Sequence, residues 1–201
     1  MLDEKIIQRL ADFWALVKDY AFCLKITGSY LNPYIKVRHD IDIICVFETV
    51  EQRAAYIKYC LNNKEVMKIK NELKEEANLT ILMNLKNSFW TDINSWKYGS
   101  ENQILFGQET NYNKPILENK EAYLQMANDS IEWRIIHYEE TGHVIKTLYH
   151  ILTGLYIIKN NSYELTEEQI QRINDIHDQV SQELLVSALY EAKDLLEELR
   201  K

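Results

Sequence analysis

The sequence predicts an α+β protein in two parts, and three observations carry that prediction. Short β-branched runs alternate with helical patterns between Phe22 and Leu85. From Asn119 onward only helical spacing remains. Five glycines and two prolines in 201 residues, with 46% hydrophobic residues, suit a packed core and not a disordered or fibrous chain. The expected architecture is a lobe with a small mixed sheet and flanking helices over residues 1–119. A C-terminal four-helix bundle over 120–201 follows it.

Each element has its own signal. Ile6, Ile7, Leu10, Phe13, Trp14 and Val17 recur at helical spacing within Leu2 to Tyr20. Phe22 to Ile26 is a short apolar run closed by Thr27-Gly28-Ser29, which reads as a strand and a tight turn. Pro33 keeps the next segment out of regular structure. Asp40 to Phe47 has the composition and length of a buried strand, with Asp40, Asp42 and Ile44 on one face and Ile41, Ile43 and Cys45 on the other. Glu51 to Leu61 and Glu65 to Glu76 read as helices, Leu79 to Leu85 as a third strand, and Ile104 to Phe106 before Gly107 as a short fourth. The bundle helices are expected at about 120–140, 142–160, 166–182 and 184–200, with breaks at Gly142 and at Asn160-Asn161-Ser162. Thr166 with Gln169 three places on is a capping box.

Charge narrows the partners. The formal net charge is −8, and it is unevenly placed. Residues 1–120 carry 16 acidic and 16 basic side chains, whereas residues 121–201 carry 15 acidic and 7 basic. Such a surface repels a phosphate backbone and suits a cationic small molecule or a basic protein, or serves simply as a solvated helical face. The apolar runs are too short to span a bilayer, and Met1-Leu2-Asp3-Glu4-Lys5 lacks a signal-peptide layout, so a cytoplasmic protein with no membrane partner is expected. Cys23, Cys45 and Cys60 are widely spaced and odd in number, which reads as buried small hydrophobes. An oligomer is compatible with all of this.

The chemistry concentrates in one stretch. Carboxylates at i and i+2 of a strand point to the same face, about 7 Å apart at Cα, within reach of one cation or a pair. Asp40 and Asp42 have that spacing. Charges on an interior strand face need compensation, and a metal is the simplest form. Gly28 allows close backbone approach, and the Ser29 hydroxyl with neighbouring amides suits phosphate oxygens. Arg38 and Lys36 flank the first acid and suit a triphosphate, or equally serve as solubilising charges.

In Ile26-Thr27-Gly28-Ser29, ten residues, then Asp40-Ile41-Asp42-Ile43, the sequence resembles the polymerase-β-like nucleotidyltransferase superfamily. The resemblance covers roughly residues 20–47. A mixed lobe followed by a helical bundle also looks like the small two-lobed members, antibiotic-modifying enzymes among them. It implies Mg²⁺-dependent transfer of a nucleoside monophosphate from a nucleoside triphosphate to an acceptor hydroxyl. Asp40 and Asp42 would hold the metals, and Gly28 and Ser29 the β and γ phosphates. Family members usually supply a third carboxylate from a later strand. Here strand 79–85 offers Asn84, and Asp92 lies a few residues on as the candidate acid, with a loop cap as its alternative role. The pattern departs from many small members in having no second glycine after Ser29 and in having His39 before the first acid.

A small-molecule acceptor, cationic and aminoglycoside-like, fits the acidic bundle better than nucleic acid does. Competing expectations are nucleotidylation of protein or tRNA in a toxin–antitoxin setting, and a degenerate member that binds nucleotide or protein without catalysis. Arg172 and His177 match the Arg-x4-His spacing of small helical ribonuclease domains, in an acidic context poorly suited to RNA. Glu139 and Glu140 are guesses for a general base. His143, Lys146 and His150 are expected along one helix face, and Trp133, Tyr138, Tyr149 and Tyr156 form an aromatic stripe that reads first as bundle core.

Overall fold

Ile41, Ile43, Cys45 and Phe47 alternate with Asp42, Ile44 and Val46 along strand β2 (Ile41–Phe47); the first set joins one apolar cluster, and Ile44 and Val46 join another on the opposite side of a sheet. A computed structural model of the chain describes residues 2–27, 30, 32–37, 40–86, 96–98, 104–107, 114–145, 147–178 and 181–201. Over these residues the protein is α+β, with seven helices and a small mixed sheet.

The first unit takes residues 1–31, 38–95 and 101–113. Helix α1 (Glu4–Val17) opens it, capped by the Asp3 carboxylate, which accepts from the Lys5 amide at 2.8 Å. Strand β1 (Cys23–Thr27) runs antiparallel to β2. Helices α2 (Val50–Asn62) and α3 (Lys64–Ala77) then cross over to β3 (Leu79–Leu85), which pairs parallel to β2. Thr49 and Gln52 form a reciprocal capping box at the start of α2. Asn78 (φ 48°) ends α3 in the left-handed region, a conformation asparagine tolerates better than most residues.

The sheet order is β3-β2-β1-β5, where β5 is Ile104–Gly107 and pairs antiparallel to β1. One face of the sheet, with Leu24, Ile26, Ile43, Cys45, Phe47 and Leu79, packs on Leu10, Phe13 and Val17 of α1, Tyr56 of α2 and Ile69 and Leu73 of α3. Such burial contributes about 25 cal/mol per Å² of apolar surface removed from water. Cys23, Cys45 and Cys60 are all buried and unbridged. Burial raises all three thiols, Cys23 to about 11, so they behave as packed apolar groups.

The second unit takes residues 32–37, 96–100 and 114–201. It therefore draws in segments that precede residue 119. Strands β4 (Trp96–Lys97) and β6 (Lys114–Pro115) form a two-residue parallel pair without a sequence signature. Four helices follow: α4 (Lys120–Thr141), α5 (Leu148–Asn160), α6 (Glu167–Asp178) and α7 (Gln182–Leu199).

Every residue of α5 from Leu148 to Ile158 is buried, as expected of a helix enclosed on all sides. Its start differs from the sequence expectation of about 142. Gly142 takes φ 72° and closes α4, and residues 143–145 and 147 are not helical. His143 consequently shares no helix face with His150, and Lys146 lies outside the described residues. The Val144 amide instead donates to the Gln182 Oε1 at 2.8 Å. The Thr166–Gln169 capping box is present, with hydrogen bonds of 3.0 and 3.2 Å in the two directions.

Residues 32–37 are tied to the bundle by polar contacts. Asn32 Nδ2 donates to Thr153 Oγ1 at 3.1 Å, and the Lys36 amide donates to Asn174 Oδ1 at 2.8 Å. Asn174 Nδ2 in turn donates to the Tyr34 carbonyl at 2.8 Å. Among the described residues no helix is long and apolar enough to cross a membrane.

Candidate functional site

Strand register determines what surrounds the acids. Asp42 is the second residue of β2 and stands opposite Thr27 of β1 on one side and Thr80 of β3 on the other. Cross-strand partners project to the same face, and adjacent strands lie about 4.8 Å apart. The result is a row of oxygen-bearing side chains, hydroxyl–carboxylate–hydroxyl, across three strands. Thr27 is buried, Asp42 half-buried and Thr80 exposed, so the row opens toward β3. Asp40 immediately precedes β2 and is exposed.

This face is the one opposite the main core. It also carries Cys23, Ile44 and Val46 as a small apolar cluster. Lys25, fully buried, stands on it beside Ile44, diagonal to Asp42. Diagonal neighbours are about 7–8 Å apart at Cα, within reach of a lysine side chain. The ammonium is near enough to draw the Cys23 thiol down, against the larger upward effect of burial. A lysine on this face brings positive charge to the row that carries Asp42.

The sequence-derived candidates fall as follows. Asp42 lies on β2 and Asp40 just before it. Gly28, Ser29, Arg38 and Asp92 lie outside the described residues, as does His39. Gly28 and Ser29 follow in sequence on Thr27, the residue paired with Asp42. Asn84 pairs with Val46, four positions along from the Asp42 row, about 13 Å away at strand rise. The β3 residue level with Asp42 is Thr80, a hydroxyl and not an acid. Among the described residues no cluster of three or more His, Cys, Asp or Glu side chains is arranged to hold a metal ion.

Sequence reasoning missed Lys25, Thr27 and Thr80 as neighbours of Asp42. Lys25 gave a usable signal, a charge at the centre of an apolar five-residue strand on the same alternation as Cys23 and Thr27. Thr80 gave none, because parallel register across a two-helix crossover is not encoded locally.

In the bundle, Arg172 and His177 have different neighbours. Arg172 Nε donates to Glu191 Oε2 at 2.8 Å and Nη2 to Ser187 Oγ at 3.1 Å. His177 is buried, edge-on to Tyr149 at 5.1 Å between ring centroids, with Asp178 Oδ1 at 3.0 Å from Nδ1. Glu139, Glu140 and His143 are exposed, whereas His150 is buried. Of the aromatic stripe, Tyr149 and Tyr156 are buried, Tyr138 is half-buried and Trp133 is exposed.

No protein-family model, curated protein or solved structure matches the chain.

Proposed function

We propose that the chain is a Mg²⁺-dependent nucleotidyltransferase that moves a nucleoside monophosphate from a nucleoside triphosphate to an acceptor hydroxyl. The observation that carries this reading is the Thr27–Asp42–Thr80 row, which puts a strand carboxylate level with the residue leading into Gly28-Ser29. Hard oxygen donors of this kind suit Mg²⁺, so Asp40 and Asp42 would hold it. The metal would neutralise charge on the triphosphate when bound. Gly28, Ser29 and Arg38 would hold phosphate oxygens, and Lys25 would balance the Asp42 charge from the adjacent strand. Asp92 is the remaining candidate for a third carboxylate. The acidic excess of residues 121–201 supports a cationic small-molecule acceptor over nucleic acid.

The decisive measurement is Mg²⁺-dependent release of pyrophosphate from each nucleoside triphosphate, alone and with candidate acceptors. Asp42→Asn should lower that release by at least about a hundredfold, because catalysis here rests on charge stabilisation. Release that persists at the parental rate in Asp40→Asn and Asp42→Asn would remove the assignment.

One observation favours a second reading. Thr80 stands where β3 would bring an acid level with Asp42, which suits a member that binds nucleotide without transferring it. Saturable triphosphate binding with no pyrophosphate release under any acceptor would select it.

A further inference from the structure

Arg134 lies in the middle of α4 with only 1% of its surface exposed. Its Nη2 donates to Thr147 Oγ1 at 3.0 Å, but Nε and Nη1 are buried and find no hydrogen-bond partner among the described residues. No carboxylate among the described residues pairs with it. Burial alone draws the guanidinium down to about 10, so it still carries its charge at neutral pH. The Trp133 ring, 5.9 Å from the guanidinium carbon, is a weak neutral contact, and a buried cation with unmet donors and no counter-charge is among the costliest groups a fold can hold.

The surroundings repeat the pattern. Ser130, one turn earlier on the same face of α4, is fully buried, and its Oγ also lacks a partner among the described residues. His150, in the first turn of α5, is buried, and its Nδ1 has no hydrogen-bond partner among the described residues. It lies close enough to Arg134 and His177 for both charges to oppose its protonation. Thr147, the cap residue of α5, makes no side-chain hydrogen bond to its own helix, so its hydroxyl faces Arg134 instead. The positive end of the α5 dipole adds to the same region.

We propose that the helical unit holds a buried oxyanion site, in which Arg134, Ser130 and His150 bind a phosphate-type group. A guanidinium fork with two free donors matches two oxygens of such a group. The serine hydroxyl and an imidazole N–H at Nδ1 supply further donors. Water would satisfy the hydrogen bonds but leave the buried charge uncompensated, whereas an oxyanion meets both needs. The group is either inorganic phosphate or the phosphoryl end of a larger ligand.

The test is titration calorimetry of the full chain with inorganic phosphate, and separately with ATP, against chloride at matched ionic strength. Saturable one-to-one binding of either is expected. It should weaken about tenfold or more in Arg134→Met, and measurably in His150→Gln. Phosphate binding identifies the free ion as a sufficient ligand; binding of ATP alone, lost in Arg134→Met, identifies a phosphoryl group on a larger molecule. Absence of saturable binding by both overturns the proposal. So does ATP binding that Asp42→Asn abolishes and Arg134→Met leaves intact, which would belong to the strand site alone. Where Arg134→Met does not fold, the parent protein still decides the matter. The imidazole nitrogen resonances of His150 should move on phosphate or ATP addition, and their failure to move under both refutes the site.

Discussion

At the scale of single residues, burial and neighbouring charge bear strongly on His150. Burial, with Arg134 and His177 nearby, holds its imidazole down at about 3, against an ordinary value of 6.5. The unfolded chain therefore takes up a proton on His150 first as the pH falls. Stability contributed by the neutral, buried ring is complete above 6.5 and is lost progressively as the pH drops toward 3. Chemical denaturation at a series of pH values should show stability falling through that window, and a folded His150→Gln variant should show a shallower fall. An equal slope in both proteins would show that other groups govern acid unfolding. Asp42 teaches a complementary lesson about legibility. Its place on β2 and its face were readable from alternation alone, because Ile41, Ile43 and Cys45 mark the side that packs on the main core. Its neighbours Thr27 and Thr80 were not, because a threonine reads alike in any strand and register belongs to the pair.

At the scale of elements, local signals located helices and strands more reliably than their ends. The Thr166–Gln169 box was legible because capping is encoded within four residues. Replacing Thr166 with alanine should cost about 1 kcal/mol, readable as a lowered denaturation midpoint with an unchanged slope. The start of α5 differs from the expectation because Gly142 closes one helix and five residues, His143 to Thr147, precede Leu148 without a cap motif. The β4–β6 pair escaped notice because two-residue strands carry no period. Packing between elements is equally invisible in sequence. Gly154 sits in α5 where an added Cβ would come within 2.1 Å of the Tyr123 ring and hydroxyl. Tyr123 is itself held by the His150 carbonyl at 3.1 Å and by an edge-on contact with Trp96 at 5.0 Å. Gly154→Ala gains helix propensity, yet overpacking should win and destabilise the protein by about 1–3 kcal/mol. A thermal midpoint equal to or above the parent's would show that Tyr123 yields at little cost.

At the scale of the whole molecule, the division into two units does not follow a single cut in the chain. Residues 32–37 and 96–100 belong to the second unit although the first unit surrounds them in sequence. A fragment comprising residues 114–201 would lose the partners of Thr153 and Asn174, as well as the Trp96 ring against Tyr123. It should unfold less cooperatively than the same helices in the full chain, and circular dichroism melting of the fragment would show this as a broader, lower transition. The change to helical spacing alone after residue 119 was legible from the loss of strand patterns. The inclusion of 32–37 was not, since Asn32 and Lys36 meet their partners 121 and 138 residues away. Those separations also bear on time. On a ribosome emitting about 5–20 residues per second, residues 32–37 leave the tunnel several seconds before Thr153 and Asn174 exist. Residues 32–37 must therefore wait, unpaired with their final partners, while later segments are made. Closing such long loops carries an entropy cost that local helices avoid. Formation of the helices should thus precede, and the docking of residues 32–37 should limit, the last step of maturation.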